Sequence, residues 1–271
     1  MTEPARKKNL VLRTVSGSVV VLGISFGIYK GGWLWALMAT TLALLSLVEY
    51  YRLLAPQFRL SRGIGYLSAL AVLLSLGNGA RVIALILSLT VYSILMLEIV
   101  RRQMWGTSFA IWNMGGTLSG ILFIVVPWTC LISLSNMPTG RLLLASLFIC
   151  TWSCDVTAYL VGAWWGRTSL CENISPKKTW EGFIGGALGS VLSIALIIYI
   201  WGRPPFPLFL IGLICGFAGQ FGDLAESLIK REVGVKDSGR LIPGHGGILD
   251  RFDSVLINGL LTYLLFGVLL T

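Results

Sequence analysis

Apolar residues along the chain fall into blocks of membrane length, separated by short polar breaks. The blocks lie at about 10–28, 33–54, 64–77, 82–100, 109–133, 142–163, 182–201, 207–229 and 252–270. No alternation of apolar and polar residues recurs, so the blocks predict helices and not barrel strands. A helix of about 20 apolar residues crosses the roughly 30 Å hydrocarbon core. It also satisfies its own backbone hydrogen bonds there. The expected fold is therefore all-α: a polytopic integral membrane protein of about nine transmembrane helices. The third block is short and is expected to tilt little or to re-enter. The first follows basic residues, as a secretory signal does, but lacks a small-residue cleavage site and is read as a span. No linker separates soluble domains. Residues 1–140 carry about five spans, and 141–271 carry the rest together with the two longest polar loops.

Composition and charge add orientation. The chain is 55% apolar and 12% charged, against roughly 25% charged residues in soluble domains, and its mean hydropathy is +0.81. With the N-terminus inside, 17 of the 21 basic residues fall on the cytoplasmic side, leaving Lys30, Arg81, Arg141 and Arg203 outside. The positive-inside rule selects that orientation, so an inner (cytoplasmic) membrane location and a cytoplasm-facing active site are expected. Juxtamembrane anchoring alone accounts for the net charge of +9, which therefore does not call for a nucleic-acid partner. The five cysteines form no CxxC pair and there is one histidine, which argues against zinc. Glu49 and Glu98, near Arg52 and Arg101/Arg102 at span ends, are read as interfacial charge pairs. The ten Trp residues gather near span ends, as an aromatic belt does.

Chemistry concentrates in two loops and one helical face. In residues 166–186, Pro176 sets a turn, and Ser175, Lys177, Lys178 and Thr179 precede a helix expected to start near Glu181. Two ammonium groups and a hydroxyl at a helix N-terminus suit phosphate; a polybasic membrane anchor is the competing reading. Gly162-x3-Gly166-Arg167-Thr168 is one residue short of a P-loop and follows a helix, so it is set aside. Asp155 falls within a span, where a carboxylate costs about 2.5–3.5 kcal/mol unless it meets a polar cavity or partner. On the eighth span Gln220, Asp223, Ser227 and Lys230 share one face, with Glu226 close by; a structural ion pair to Lys230 is the plain alternative. Beyond it lie Arg231, Lys236, Asp237, Arg240, the glycine turn with His245, Gly246 and Gly247, and then Asp250, Arg251 and Asp253. Glycines admit phosphate close to backbone N–H groups, and carboxylates hold hard cations. The glycine stripes Gly182/Gly185/Gly186/Gly189 and Gly212/Gly216/Gly219 are read as helix-packing surfaces.

These residues carry a resemblance. Ser227-x-Ile229-Lys230-Arg231-x4-Lys236-Asp237-x-Gly239-x2-Ile242-Pro243-x-His245-Gly246-Gly247-Ile248-x-Asp250-Arg251-Phe252-Asp253 resembles the long motif of phosphatidate cytidylyltransferases, or CDP-diacylglycerol synthases. Asp155-x2-Ala158-Tyr159-x2-Gly162 and Ser175–Phe183 with Gly185 and Gly186 are similar to the family's other two blocks. Ser169 stands where many members have a basic residue and is given no role. The likeness covers about the last 120 residues; before them the chain matches only in being hydrophobic.

The resemblance implies the reaction of CTP with phosphatidate to CDP-diacylglycerol and pyrophosphate, with Mg²⁺ and room for a second cation. Its implied partners are CTP, phosphatidate and the bilayer, with a second copy of the chain as a further candidate. Asp223, Asp250, Lys230, Lys236 and His245 are the expected catalytic residues, and Asp223, Asp250 and Asp253 the expected metal ligands. Ser175, Lys177, Lys178, Thr179, Arg231, Asp237, Arg240, Gly246, Gly247, Arg251 and Asp155 are expected at the substrates. A phosphate nucleophile is already anionic, so no Ser-His-Asp constellation is required. Repulsion between two polyanions is what must be managed, by cations and metal. Two other classes share some of these features. A CDP-alcohol phosphotransferase needs a DG-x2-AR run and aspartates four apart, whereas Asp250 and Asp253 are three apart. An ion-coupled transporter accounts for intramembrane Asp155 and Asp223, predicts inverted repeats, and leaves the glycine turn unexplained.

Overall fold

The structure is a computed structural model that describes residues 3–75, 79–202, 205–239, 241, 242, 244 and 246–270. Its helices are α1 (Glu3–Lys30), α2 (Gly32–Leu54), α3 (Arg62–Leu74), α4 (Gly79–Trp105) and α5 (Ala110–Ser135). They continue with α6 (Gly140–Trp165), α7 (Trp180–Trp201), α8 (Pro205–Glu232) and α9 (Leu249–Leu269). Eight are long and apolar enough to cross a membrane, so the protein is a polytopic all-α membrane protein. The ninth, α3, has 13 residues. At 1.5 Å per residue it reaches about 20 Å, short of the roughly 30 Å core. It stops where the Ser75 hydroxyl turns back to the Val72 carbonyl at 2.7 Å.

One π turn, Ile121–Val125, interrupts α5 just ahead of Pro127. Proline lacks the N–H that an α-helix needs at that point, and the wider turn absorbs the mismatch. The core draws on both halves of the chain. Trp35, Tyr51, Ile124, Trp128, Phe148 and Phe252 are fully buried together, and the Trp128 and Phe252 rings lie 5.2 Å apart. The glycines of α7 let it approach α6 closely: a Cβ on Gly185 would strike Val161, and one on Gly189 would strike Thr157. Four of the five cysteines, Cys130, Cys150, Cys154 and Cys215, are buried packing residues with free thiols.

The loop after α6 is more ordered than its sequence suggests. It forms an antiparallel hairpin, β1 (Ser169–Cys171) with β2 (Ser175–Thr179), pairing Ser169 with Thr179 and Cys171 with Ser175. Hydropathy gives no sign of it, because these strands are short, polar and outside the core. Thr179 then caps α7, its hydroxyl accepting the Gly182 N–H at 3.1 Å. Glu181 on the first turn accepts the Arg167 and Thr168 N–H groups at 3.1 and 3.3 Å, tying the hairpin base to α7.

Candidate active site

The hairpin, the end of α8 and the start of α9 surround one cavity of about 900 Å³. Its two ends differ in chemistry. Val20 and Val21 of α1 and Trp152 and Val156 of α6 make an apolar wall. Lys177, Lys178, Asp223, Asp253, Arg251 and Asp155 make the polar end. Asp155 thus opens into the cavity that its cost in a membrane requires.

Within the polar end the carboxylates have different surroundings. Asp223 is 37% exposed; one oxygen meets Lys178 Nζ at 2.7 Å and the other accepts the Ser227 hydroxyl at 3.3 Å. Lys178 also reaches the Gln220 carbonyl at 3.5 Å. Gln220 spends its own amide on the Phe183 and Gly216 carbonyls, at 3.0 and 2.7 Å, which joins α8 to α7. Asp253 is half-buried and accepts the Ser254 N–H at 2.7 Å.

Asp250 is engaged on every side. Lys230 Nζ lies 2.7 Å from one oxygen, the Ser238 N–H reaches both oxygens at 3.2 and 3.0 Å, and the Gly247 N–H donates at 2.9 Å. Lys230 is itself buried, with Glu226 3.2 Å away on its other side. The plain reading of a structural pair at Lys230 therefore holds for Glu226, while Asp223 has gone to Lys178.

At the expected phosphate cradle of Gly246 and Gly247 the backbone N–H groups are engaged within the protein. The Gly246 N–H donates to the Ile242 carbonyl at 3.2 Å, and that of Gly247 is taken by Asp250. Neither glycine lines the cavity. The turn has to satisfy its own backbone, and lacking a sheet or helix it uses a carboxylate to do so. Gly246 has φ +90°, which other residues adopt only with strain.

The remaining expected residues divide. Lys177, Thr179, Asp237 and Arg251 line the cavity with those already described. Ser175, Arg231 and Lys236 do not. Arg231 instead ties α8 to the hairpin, donating to the Ile174 carbonyl at 3.2 Å, and Lys236 is exposed. Arg240 and His245 lie outside the described residues.

The reading of Glu49 as an interfacial pair with Arg52 is corrected. Glu49 is 2% exposed and accepts the Leu249 N–H at 2.9 Å, and no ion pair joins it to Arg52 among the described residues. A lone acidic residue in an apolar helix was the available signal. Glu98 does pair with Arg101, and it also accepts the Phe109 N–H and the Asn113 amide. The contribution of α1 to the cavity had no signal beyond hydrophobicity.

Among the described residues no three His, Cys, Asp or Glu side chains stand close enough to hold a metal unaided. The donors facing the cavity are carboxylate oxygens, as a hard cation requires. Asp223 and Asp253 are the carboxylates that would hold one, Asp223 by exchanging its Lys178 contact, with water and phosphate as the remaining ligands. Asp250, with three donor groups on its two oxygens, would have to give up more than Asp223 to join them.

Comparison with known proteins adds the lineage. A phosphatidate cytidylyltransferase of Synechocystis sp. is 48% identical over 130 residues, 47% of this chain and 44% of that protein. One from Brucella abortus is 43% identical over 136 residues, 48% of each chain. The chain thus spans about half the length of these relatives. A third, from Rickettsia bellii, is 38% identical over 164 residues, 56% of this chain and 70% of that protein. The model of the cytidylyltransferase family matches residues 11–269, and with this cavity behind that match the chain belongs to the cytidylyltransferase family.

Proposed function

We propose that the protein transfers the cytidylyl group of CTP to phosphatidate, releasing pyrophosphate and forming CDP-diacylglycerol. The observation that carries this reading is one cavity with an apolar wall on α1 and α6 and a charged end at the hairpin, α8 and α9. Such a cavity suits a reaction between a nucleoside triphosphate and a lipid phosphate. The names of the relatives support the same reaction.

A phosphate oxygen of phosphatidate, anionic at neutral pH, attacks the α-phosphorus of CTP. The new O–P bond forms as the bond to the β-phosphate bridge breaks, and pyrophosphate carries away the electron pair. Lys177, Lys178 and Arg251 offset the repulsion between the two anions. The Lys178–Asp223 pair keeps Lys178 turned towards the cavity. Mg²⁺, held by Asp223 and Asp253 and with room for a second cation, would neutralise charge growing on the leaving group. Lys230, held between Glu226 and Asp250 on the cavity wall, orients Asp250.

The basic asymmetry of the sequence supports a cytoplasmic site in an inner membrane. A Lys177→Cys variant in a cysteine-free background should resist an impermeant thiol reagent applied from the outer face. The reaction itself is tested with purified protein, phosphatidate and labelled CTP. The expected product is a chloroform-soluble cytidine lipid whose formation stops on adding a chelator. Absence of that product with Mg²⁺ present would sink the proposal.

A further inference from the structure

The first turn of α9 carries Asp250 and the next carries Asp253, yet its N-cap position supplies no side-chain cap. The residue preceding it is Ile248, which offers no side-chain hydrogen bond. The cap comes from the other half of the chain. Glu49, the only acidic residue of α2, presents one oxygen to the N–H of Leu249, the first residue of α9, at 2.9 Å across 200 positions of sequence. A helix leaves its first N–H groups without internal partners, and its N-terminus favours negative charge.

The glycine turn is shaped around the same carboxylate. A Cβ added at Gly239 or at Gly247 would overlap the Glu49 carboxylate. Glycine at these two positions therefore admits a buried acid from α2. Glu49 itself is not among the residues lining the active-site cavity, so it acts through what it holds.

We propose that Glu49 is a positioning residue for the transfer reaction. It fixes the first turn of α9 and the glycine turn, and through them sets Asp250 and Asp253 against Asp223 and Lys230 of α8. The kinetic half of this inference rests on the proposed function; the structural half does not.

Two conservative variants of the full-length protein separate reach from charge. Glu49→Gln keeps an oxygen at the same distance, whereas Glu49→Asp keeps the charge and falls a methylene short. With Glu49→Asp, turnover is expected to fall at least about tenfold while the KM for CTP stays within about threefold, the pattern of misplaced groups. Amide hydrogen exchange in a peptide spanning 247–252 should accelerate in that variant. Glu49→Gln should stay within about threefold of the parent protein in turnover and keep its slow exchange. Any other pattern overturns the inference, including fast exchange in Glu49→Gln or equal behaviour of the two variants. If the parent protein makes no cytidine lipid, the functional reading fails, and the exchange comparison alone still decides whether Glu49 holds α9.

Discussion

The hairpin at 169–179 and the turn at 236–247 sit beside the same cavity, and both are short, polar and carry basic residues. They use those residues in opposite ways. In the hairpin the backbone pairs strand to strand, which leaves Lys177 and Lys178 to face the cavity. Among the described residues of the turn, backbone pairing is limited to the Ile242–Gly246 bridge. The Ser238 and Gly247 N–H groups draw on Asp250, and Lys236 stays outside the cavity. A backbone that satisfies itself frees side chains for a ligand, and one that does not recruits side chains for structure. The number of charges in a loop therefore says little about how many meet substrate.

The sharpest test sets Asp250 against Asp223. Asp250→Asn places an amide group against N–H donors and Lys230, so kcat/KM should fall at least about a thousandfold and stability by about 2 kcal/mol. Asp223→Asn should lose as much activity, at least about a thousandfold, because a cation ligand loses its charge. Its thermal midpoint should stay within the small shift that about 0.5 kcal/mol allows for an open position. Equal stability losses in the two variants would erase the distinction between clamp and open ligand.

A middle-sized effect is expected at Gly247→Ala, whose Cβ would meet Ser238 and Glu49. Overpacking of this kind costs about 1–3 kcal/mol. Activity and melting temperature should fall together. Unchanged values would mean that the turn is looser than its contacts imply.

Lys177→Ala should raise a substrate KM about tenfold with kcat less affected, the mark of lost uniform binding. Lys178→Ala should act on both constants, since it also leaves Asp223 without its partner. Wild-type kinetics in both variants would return the hairpin to the role of membrane anchor. The smallest effect belongs to Lys236→Ala, exposed and outside the cavity, with kcat/KM within about twofold. A larger loss there would show that the turn closes over substrate.

What could be read from the sequence followed from local physics. Blocks of about 20 apolar residues must be helices in lipid, and all eight long ones are found where hydropathy puts them. The start of α7 was legible because Thr179 is a good cap. The α8 face from Gln220 to Lys230 was legible because helical spacing alone aligns it. The long irregular motif pointed to the family for the same reason that it is hard to match by chance. What the sequence could not give is which polar group answers which. Lys178 with Asp223, Lys230 with Asp250 and Glu49 with Leu249 are 45, 20 and 200 positions apart. Such pairs depend on how rigid helices pack in three dimensions, and no periodicity records that. Glu49 is the plainest case. Beside Arg52 in sequence it looks like a surface charge, and only the packing of α2 against α9 makes it a buried cap.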